Sequence, residues 1–501
     1  MNRPVRRHVA ALFALAVLVA VPYAQTLDDE WHFDDLGELN PGVRELAPRV
    51  PPHHYRGIAV LWTWAVDFRL HGEDPTGYHV TNIAIHLANV LLLYRLAWLL
   101  MAGMRARGPA AFAAAAVFAV HPLATQSVTY LTQRSTGLAA LFLLLSWTFW
   151  IAFRRSGKTG AYVAALLALA VGLHTKPVVL LVPVLIAVTT WVLPGEESGS
   201  DAGRRVVGRR RVLLLAVPFL LLAGWRAVQL APRMGPERPA PAAPAPRPVL
   251  PRYTRAEYSL AQTVVIPRYL GMMVLPAGQN LDPEVTPPRS AADPRVIGFG
   301  VLAAGIAAAV WRFRHSPPVV LGGVLLVGAL VPTSSIVPAA DLMAEHRAYV
   351  PLAGFCLALG AGFGGLAARS SRLAIALLSV VLIGLSAATG RRNAVWDTEL
   401  SLWTDVAAKS PGKERPHLNL GLALLRAGRP EEAEREVRRA LEIRPDYAFA
   451  RNNLGNLLRR RGRADEAKEQ YLSAIRARPG YAEPHVNLGN LAADRGDWAA
   501  A

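Results

Sequence analysis

This sequence has very little cysteine and few charged residues. Among 501 residues there is a single cysteine, which excludes an internal disulfide framework and a cysteine-based zinc site. That residue, Cys356, lies between Phe355 and Leu357 in an apolar segment, so packing is its expected role. Charged residues make up 18% of the chain, below the roughly 25% of soluble domains, and hydrophobic residues make up 52%. The average must combine a very apolar part with an ordinary soluble one, and the length calls for at least two units.

Acidic residues are also scarce, and the net charge is +18. Such a charge can indicate nucleic-acid binding, but here no basic stripe is interleaved with aromatic residues. The arginines instead form short runs beside apolar stretches, as in the cytoplasmic loops of membrane proteins. We therefore expect a membrane-embedded chain with no nucleic-acid partner. The runs are Arg105 and Arg107, Arg154 and Arg155, Arg204 to Arg211, and Arg312 and Arg314.

Eleven apolar runs predict a polytopic helical bundle. The first, from Val9 to about Ala24, follows three arginines and ends in a poor cleavage site, which favours a retained helix with a cytoplasmic N-terminus. Most of the others approach the roughly 20 residues needed to cross the hydrocarbon. If the N-terminus is cytoplasmic and each run crosses the membrane once, the arginine-rich loops lie in the cytoplasm and the C-terminal tail lies outside it. The later runs centre on 79–101, 109–124, 137–153, 160–175, 177–193, 212–230, 296–311, 317–338, 350–367 and 373–389.

Two long loops are expected on the outer side, at 25–56 and 231–295. The second holds several arginines, but the charge rule weakens for loops near or above ~60 residues. Within it, 235–251 is rich in proline and alanine and predicts an extended linker. The stretch 255–275 is apolar but interrupted by a proline and an arginine. It either lies along the outer surface as an amphipathic helix or crosses, and crossing would move every later loop to the other side.

The tail carries an internal repeat with a period of 34 residues. This period, with small residues at fixed places, is the signature of the tetratricopeptide helix-turn-helix repeat. We expect repeats at 411–444 and 445–478 and an incomplete one at 479–501, with the natural protein continuing or the chain having been cut there. The repeated positions are Pro411, Pro445 and Pro479; Asn419, Asn453 and Asn487; Leu420, Leu454 and Leu488; Gly421, Gly455 and Gly489; and Ala433, Ala467 and Ala501.

The first outer loop reads TLDDEWHFDDLGELNP and crowds acidic residues directly after the first span. Crowded carboxylates can raise one another's pKa and so supply a base at neutral pH, or they can hold a divalent metal. A solvated acidic loop without chemistry is the third interpretation. The residues are Asp28, Asp29, Glu30, Asp34 and Asp35.

Polar side chains recur at the predicted outer ends of the spans. Four of them, spaced three or four residues apart on the second span, share one helical face, which should meet a cavity or a neighbouring helix because polar groups are costly in lipid. Each could serve packing or interfacial anchoring alone, but their shared location favours a functional site. The four are His79, Asn82, His86 and Asn89, and further residues on this side are Tyr78, His121, Gln126, Arg134, Lys176, Glu345, His346, Arg347 and Tyr349.

Seven stretches follow one another in a recognisable order: FDD at 33–35, GYHVTNIAIHLAN at 77–89, HPLATQSVTYLTQR at 121–134, HTKP at 174–177, LPAGQNLD at 275–282, VPTSSIVPAADLMAEHRAYVPLAGFC at 331–356 and RRNAVWDTELSLW at 391–403. Together they resemble the transmembrane and tetratricopeptide-repeat O-mannosyltransferase family and its bacterial relatives, within the GT-C glycosyltransferases. The resemblance covers nearly the whole chain. It implies transfer of a sugar from a polyprenyl-phosphate carrier to an acceptor hydroxyl outside the cytoplasm, with mannose and a protein acceptor left open.

The resemblance also implies roles for particular residues. An acidic residue of the first outer loop deprotonates or orients the acceptor, and the FDD match carries this role to Asp34 or Asp35, with Asp28 and Asp29 as the second choice. Basic groups balance the charge that develops on the leaving lipid phosphate. The candidates for phosphate binding are Arg134, Lys176 and Arg347, and the supporting residues are His79, His86, His121 and Glu345.

One departure from the family concerns the second of these basic residues. Family members often carry Lys-Glu where this chain has Lys176-Pro177, which puts an acidic partner at 177 in doubt but leaves the lysine. No cofactor is assigned beyond the divalent metal left open above.

The predicted fold is all-α, with a GT-C-like membrane domain at 1–390, a linker at 391–410 and tetratricopeptide repeats at 411–501. The composition favours a bacterial inner membrane with the repeats in the periplasm, binding the acceptor or a protein partner. The main alternative is a catalytically inactive, membrane-anchored scaffold that presents the repeats. A transporter is disfavoured, because the ionisable groups gather near one face and not at the midplane.

Overall fold

The structure is a computed structural model that describes residues 3–32, 35–39, 41–45, 57–193, 209–230, 253–334 and 338–494. Over these residues every regular element is a helix, which confirms the all-α prediction. The chain divides into two compact units, each with its own packing. The membrane unit comprises the described residues up to 230, Tyr253–Gln279 and Pro287–Asp397, and the repeat unit comprises Asn280–Thr286 and the described residues from Thr398 onward.

The membrane unit contains fifteen α-helices in its described part, joined by short 3₁₀ turns. They are α1 (Arg3–Tyr23), α2 (Pro41–Arg44), α3 (Ile58–His71), α4 (Pro75–Leu100), α5 (Arg107–Val120), α6 (Thr125–Val128), α7 (Arg134–Ser156), α8 (Thr159–Gly172), α9 (Val182–Val192), α10 (Arg209–Leu230), α11 (Arg255–Val274), α12 (Pro294–Arg312), α13 (Pro317–Leu330), α14 (Tyr349–Arg369) and α15 (Ser371–Ala394).

The apolar helices of this unit correspond one to one with the eleven predicted runs. Among the described residues six segments are long and apolar enough to cross a membrane, and one bent pair, Arg107–Val120 with Pro122–Val128, adds a seventh at an angle of 54°. Four shorter apolar helices, of 10–17 residues, account for the remaining runs. The chain is therefore a multi-pass membrane protein. The six long segments are Val5–Asp28, Pro75–Leu100, Leu131–Ser156, Pro294–Arg312, Glu345–Arg369 and Ser371–Ala394.

Three helices lie outside that correspondence: the 4-residue α2 and the longer α3 and α11. Helix α3 was not predicted, and it packs through Leu61 and Trp64 in a core cluster with Tyr78. Helix α11 covers the stretch whose path the sequence left open, and it is not among the helices apolar enough to cross. Both of its ends touch segments that lie at one edge of the bundle: Tyr258 Oη donates to Thr333 O (2.6 Å), and His121 Nε2 lies 3.1 Å from Met273 O. This is the arrangement that the surface-helix alternative expects.

Small residues let helices of the membrane unit approach closely. A Cβ added to Gly360 of α14 would stand 2.7 Å from Ala110 O and 2.7 Å from the Cβ of Ala114, both on α5. Close backbone approach of this kind is how helices associate where lipid removes the hydrophobic driving force. Cys356, also on α14, is fully buried.

The repeat unit consists of α16 (Glu399–Lys409), α17 (Glu414–Arg426), α18 (Pro430–Ile443), α19 (Ala448–Arg460), α20 (Ala464–Ala477) and α21 (Ala482–Asp494). Helices α17 to α20 form two complete helix pairs around a shared core that includes Val437, Leu454 and Tyr471. The turns within the pairs pass through Gly428 and Gly462, whose φ values of 74° and 73° suit glycine. The predicted 34-residue repeat is thus a pair of helices and a turn.

A short segment of the second outer loop belongs to the repeat unit. Asp282 is buried and forms ion pairs with Lys413 and Arg415, and Ser410 Oγ donates to Asp282 O (2.8 Å). Burial alone would raise the pKa of the Asp282 carboxyl, but its pairs with Arg415 and Lys413 outweigh burial and lower that pKa. Because Asn280–Thr286 belongs to the repeat unit, this part of the loop and the repeats lie in the same compartment.

Candidate functional site

The candidate site lies at one edge of the membrane unit, here called the polar rim, which is formed by His32, Asp35, the segment from His121 to Arg134 and the segment from Glu345 to Tyr349. Its elements are tied together directly. Thr132 N donates to Asp35 Oδ1 (2.8 Å), and His346 N donates to Gln126 Oε1 (2.5 Å). The first outer loop and the segment before α14 therefore lie at the same edge.

Asp35 anchors the first outer loop to the rim. Its carboxylate is buried and accepts hydrogen bonds from two backbone N–H groups, that of Thr132 and that of His32, the latter at 3.1 Å. Two backbone donors fix the orientation of a carboxylate without requiring any side chain to move. Asp34, the other residue of the FDD stretch chosen for catalysis, lies outside the described residues.

The earlier acidic pair of this loop is divided by the fold. Asp28 is exposed, whereas Asp29 is buried beside it. Burial, with smaller contributions from Asp397 and Asp28, raises the pKa of the Asp29 carboxyl to about 8. The Asp29 carboxyl is therefore mostly protonated at neutral pH.

His32, in the same loop, is also buried. Its ring packs edge-on against Trp396, with 5.8 Å between the ring centroids. Burial lowers the pKa of His32 to about 4, so the ring is neutral at physiological pH. The structure adds His32 and Trp396 to the surroundings of the site, although the sequence had singled out neither of them.

The polar face of α4 meets neighbouring helices, as predicted. His86 lies 2.7 Å from Tyr349 Oη through Nδ1 and 3.1 Å from Ala119 O through Nε2. Asn89 Nδ2 donates to Gly137 O (3.0 Å) and to Tyr349 Oη (3.2 Å). These hydrogen bonds hold α4 against α5, α7 and α14. His86 and Asn89 are therefore buried polar residues that stabilise the packing of these helices.

His79 differs from the other members of this face. It is buried, and the backbone of Asp29 lies beside its ring. His32 and Arg134 are close enough to act on it electrostatically. His79 therefore lies between the first outer loop and α7, next to the acidic candidates.

Arg134, predicted to bind phosphate, is fully buried in an ion pair. Its Nη1 lies 2.6 Å from Asp67 Oδ2, and its Nε donates to Asn82 Oδ1 (2.8 Å). Asp67 comes from the unpredicted helix α3 and also accepts from Thr81 Oγ1 (2.8 Å). The guanidinium is close enough to Asp35 to feel its charge. A lone acidic residue inside the apolar run of 58–68 was the available signal for Asp67.

Lys176 is joined to the same end of α7. Its ammonium group donates to Gln133 Oε1 (2.9 Å) and to Thr136 Oγ1 (2.6 Å). The following proline begins a 3₁₀ turn, Pro177–Leu181, which leads into α9. Because Arg134 is the first residue of α7, the side chains of Lys176 and Arg134 both lie at the start of this helix.

Arg347 and His121 lie against α11. Arg347 Nη2 donates to Asp341 O (3.0 Å), and its Nη1 lies 3.4 Å from Tyr258 Oη. Glu345, at the start of the same 3₁₀ turn, is buried. The structure therefore brings Asp35, His79 and Arg134 together and joins Lys176 to the same helix end, while the hydrogen bonds of Arg347 and His121 run to α11 and the loop before α14.

The arrangement does not form a metal centre in the part of the chain that can be described. Among the described residues no group of three His, Cys, Asp or Glu side chains is placed to hold a metal ion. The described rim offers an oriented carboxylate, the buried neutral ring of His32 and cationic groups at the ends of membrane helices.

This fold and rim define a polytopic membrane protein with a tetratricopeptide tail and a polar site at the helix ends. A family model for the tetratricopeptide repeat matches residues 413–480. A protein O-mannosyl-transferase from Caenorhabditis elegans is 24% identical over 478 residues, covering 87% of this chain and 63% of that protein. Protein O-mannosyl-transferase TMTC4 from Homo sapiens is 27% identical over 461 residues, covering 82% of this chain and 60% of that protein. The chain is thus similar over most of its length to protein O-mannosyl-transferases, which confirms the resemblance found in its sequence.

The alignments cover only part of the length of the relatives. The chain spans about six-tenths of the length of the curated relatives that it matches over most of its own length, such as the 63% and 60% above. Two solved GT-C structures are similar at low identity. An Archaeoglobus fulgidus oligosaccharyltransferase tethered to an acceptor peptide has a TM-score of 0.40 at 12% identity and covers 76% of this chain and 55% of its own. ArnT from Cupriavidus metallidurans, bound to undecaprenyl phosphate, has a TM-score of 0.42 at 16% identity and covers 96% of this chain and 78% of its own.

Proposed function

We propose that the chain is a membrane glycosyltransferase that moves a sugar from a polyprenyl-phosphate carrier to an acceptor hydroxyl at the polar rim. The observation that carries the proposal is the carboxylate of Asp35, oriented by two backbone N–H groups and close to the Arg134–Asp67 pair. Homology to protein O-mannosyl-transferases supports the class of reaction.

In the proposed reaction Asp35 acts as the base, with Asp34 as its neighbour in the same stretch. The acceptor O–H gives its proton to the carboxylate, and the acceptor oxygen forms a bond to the anomeric carbon of the sugar. The bond between that carbon and the phosphate oxygen breaks, and the polyprenyl phosphate leaves with the electron pair. A base held in one orientation lowers the barrier because the acceptor is positioned before it reacts.

Negative charge develops on the departing phosphate, and a cation near it stabilises the transition state. Lys176 is our first choice for this role, because its hydrogen bonds to Gln133 and Thr136 place an ammonium group at the start of α7. Arg347 is the second. For Arg134 we propose a positioning role, since its guanidinium already faces Asp67 and holds Asn82 of α4.

We further propose that the rim and the repeats face the non-cytoplasmic side, in a bacterial inner membrane the periplasm, and that the repeats bind the acceptor or a protein partner. The arginine-rich loops support this orientation through the positive-inside rule. Reporter fusions after Glu30 and after Asp341 test it directly. Activity of both reporters in the outer compartment is expected, and opposite compartments would exclude one common rim.

The central test is sugar transfer by membranes carrying Asp35→Asn. We expect at least a hundredfold loss of product from radiolabelled polyprenyl-phosphate sugars, because general-base groups typically contribute ~10²–10⁴-fold. Glu30→Gln is the matched control, since Glu30 is an exposed acid of the same loop and should keep wild-type activity. Asp34→Asn completes the set. Full activity in both Asp34→Asn and Asp35→Asn would rule out this mechanism.

The alternative is a scaffold without catalysis. It is favoured by the self-contained core of α17 to α20, which gives the repeats a folded surface of their own. A scaffold predicts that no polyprenyl-linked sugar gives product with the wild-type chain and that Asp35→Asn leaves the cellular function intact.

A further inference from the structure

A cavity of about 560 Å³ opens at the end of the membrane unit opposite the polar rim. It lies where α4 and α7 finish, at Leu100 and Arg154, whereas the rim lies where the same helices begin. Each residue of α7 rises about 1.5 Å, so roughly 30 Å of helix separates Arg154 at the cavity from Arg134. The described residues that line it are Leu100, Ala102, Gly103, Met104, Ile151, Arg154, Arg155, Val192, Leu193, His315, Ser316, Pro317 and Pro318.

The walls of the cavity combine basic and apolar groups. Arg154, Arg155 and His315 supply the polar side, and no acidic residue is among the described residues that line it. Arg155 Nη2 donates to Leu99 O (2.6 Å), and Arg154 Nη1 donates to Thr189 O (3.0 Å), so backbone carbonyls hold both guanidinium groups at the cavity. Most of the other lining residues are apolar, among them Leu100, Met104, Ile151, Val192 and Leu193.

The surroundings add to the positive potential. Arg107, at the start of α5, is close enough to Arg155 and Arg95 for electrostatic repulsion. The side chain of Arg107 is held by the Trp98 ring, 4.2 Å from the guanidinium carbon, and donates to Trp98 O (2.7 Å). Like charges gathered at the ends of membrane helices are stabilised by an anion at headgroup depth.

We propose that this cavity binds the phosphate headgroup of an anionic phospholipid, with the acyl chains against the apolar wall. The volume lies within the ~300–1,000 Å³ range of small-molecule sites. The position at the ends of membrane helices is where headgroups sit, and a mixed wall of arginine and aliphatic residues suits a ligand that is charged at one end and apolar at the other. The bound lipid joins α4, α7, α9 and the start of α13.

The test uses the full chain purified from membranes and examined by native mass spectrometry for bound phosphatidylglycerol. Gly103→Glu and Gly103→Gln form a matched pair, because a Cβ at Gly103 meets nothing within 4 Å and the two variants differ only in charge. We expect Gly103→Glu to retain phosphatidylglycerol about fivefold less than wild type, the effect of one charge at the headgroup level, and Gly103→Gln to retain it normally. Exposed His315→Glu provides a second way to introduce a negative charge at the cavity if Gly103→Glu does not accumulate.

Two further measurements distinguish a phospholipid from free phosphate, and a specific effect at the cavity from a general effect of net charge. Arg372→Gln removes a basic residue that does not line the cavity and should leave retention unchanged. Addition of phosphatidylglycerol should raise the Tm of the wild type, while inorganic phosphate should not. Equal retention in Gly103→Glu and Gly103→Gln, equal loss in Arg372→Gln, or equal protection by inorganic phosphate would each overturn the proposal.

Discussion

At the scale of single residues, the acids in and around the polar rim are in very different states. Asp35 is oriented by backbone N–H groups, Asp29 is buried with a pKa raised to about 8, and Asp67 is paired with a buried arginine. Composition shows that acids crowd the first loop, but it cannot distinguish these states, because each depends on neighbours distant in sequence. Asp67 was missed for the same reason, since its partner Arg134 lies on another helix.

Loss of the Asp67 carboxylate should destabilise the membrane unit strongly. In Asp67→Asn the guanidinium of Arg134 stays buried without its counter-charge, which typically costs about 3–5 kcal/mol. Asp293→Asn is the control, because its pair with Arg295 is more exposed and exposed ion pairs contribute little to stability. Thermal unfolding in detergent measures both. Equal Tm shifts in the two variants would show that the buried ion pair stabilises the protein no more than the exposed one does.

The raised pKa of Asp29 should make stability depend on pH. An acid whose folded pKa exceeds its unfolded value of 3.8 favours folding fully only below that value, and this contribution is lost as the pH rises toward about 8. Asp29→Asn, which carries no titratable proton, should therefore gain Tm relative to wild type as the pH is raised from 5 to 8. Glu30→Gln should follow wild type throughout. A constant difference between Asp29→Asn and wild type over this range would contradict the assignment.

At the scale of elements, the eleven apolar runs and the 34-residue period could be predicted from sequence, because hydrophobic length and repetition are local properties. Helix α3 could not, since its 14 residues are too short to span and carry Asp67 and Arg69, so they look like part of a loop. The path of α11 also needed the structure. Tyr258 and Met273 show by their contacts that both ends lie at one edge of the bundle.

Contact between α5 and α14 depends on the absence of a side chain at Gly360. Gly360→Ala would place a Cβ 2.7 Å from Ala110 O, so the helices must separate, and overpacking of this kind costs about 1–3 kcal/mol. Gly362→Ala, on the same helix with nothing within 4 Å of the added Cβ, should be neutral or slightly stabilising. Tm values in detergent compare the two, and equal tolerance would disprove the close approach.

At the scale of the whole molecule, the two units do not follow the chain in simple succession. Asn280–Thr286, from a loop between membrane helices, is part of the repeat unit. The linker that the sequence predicts at 391–410 includes α16, a helix with a capping box formed by Thr398 and Ser401. Thr398, a residue type favoured at the start of helices, was the available signal, since its side chain accepts from Ser401 N.

Removal of the Asp282 carboxylate should free the loop segment from the repeats. Asp282→Asn breaks the ion pairs with Lys413 and Arg415, and we expect protease cleavage within 280–286 at enzyme concentrations that leave wild type intact. Asp446→Asn, which removes an exposed partner of Arg444, is the control and should resist cleavage like the wild type. Identical digestion of all three proteins would mean that the ion pairs do not hold the segment.

The same segment sets a condition for studying the tail in isolation. A fragment that starts at Thr398 carries α16 to α21 but leaves Lys413, Arg415 and Ser410 facing the space that Asn280 and Asp282 fill in the intact chain. Such a fragment presents an unnatural basic surface, which could capture acidic proteins for reasons unrelated to its biology. Partner searches with the tail should therefore supply residues 280–286 in trans or by fusion.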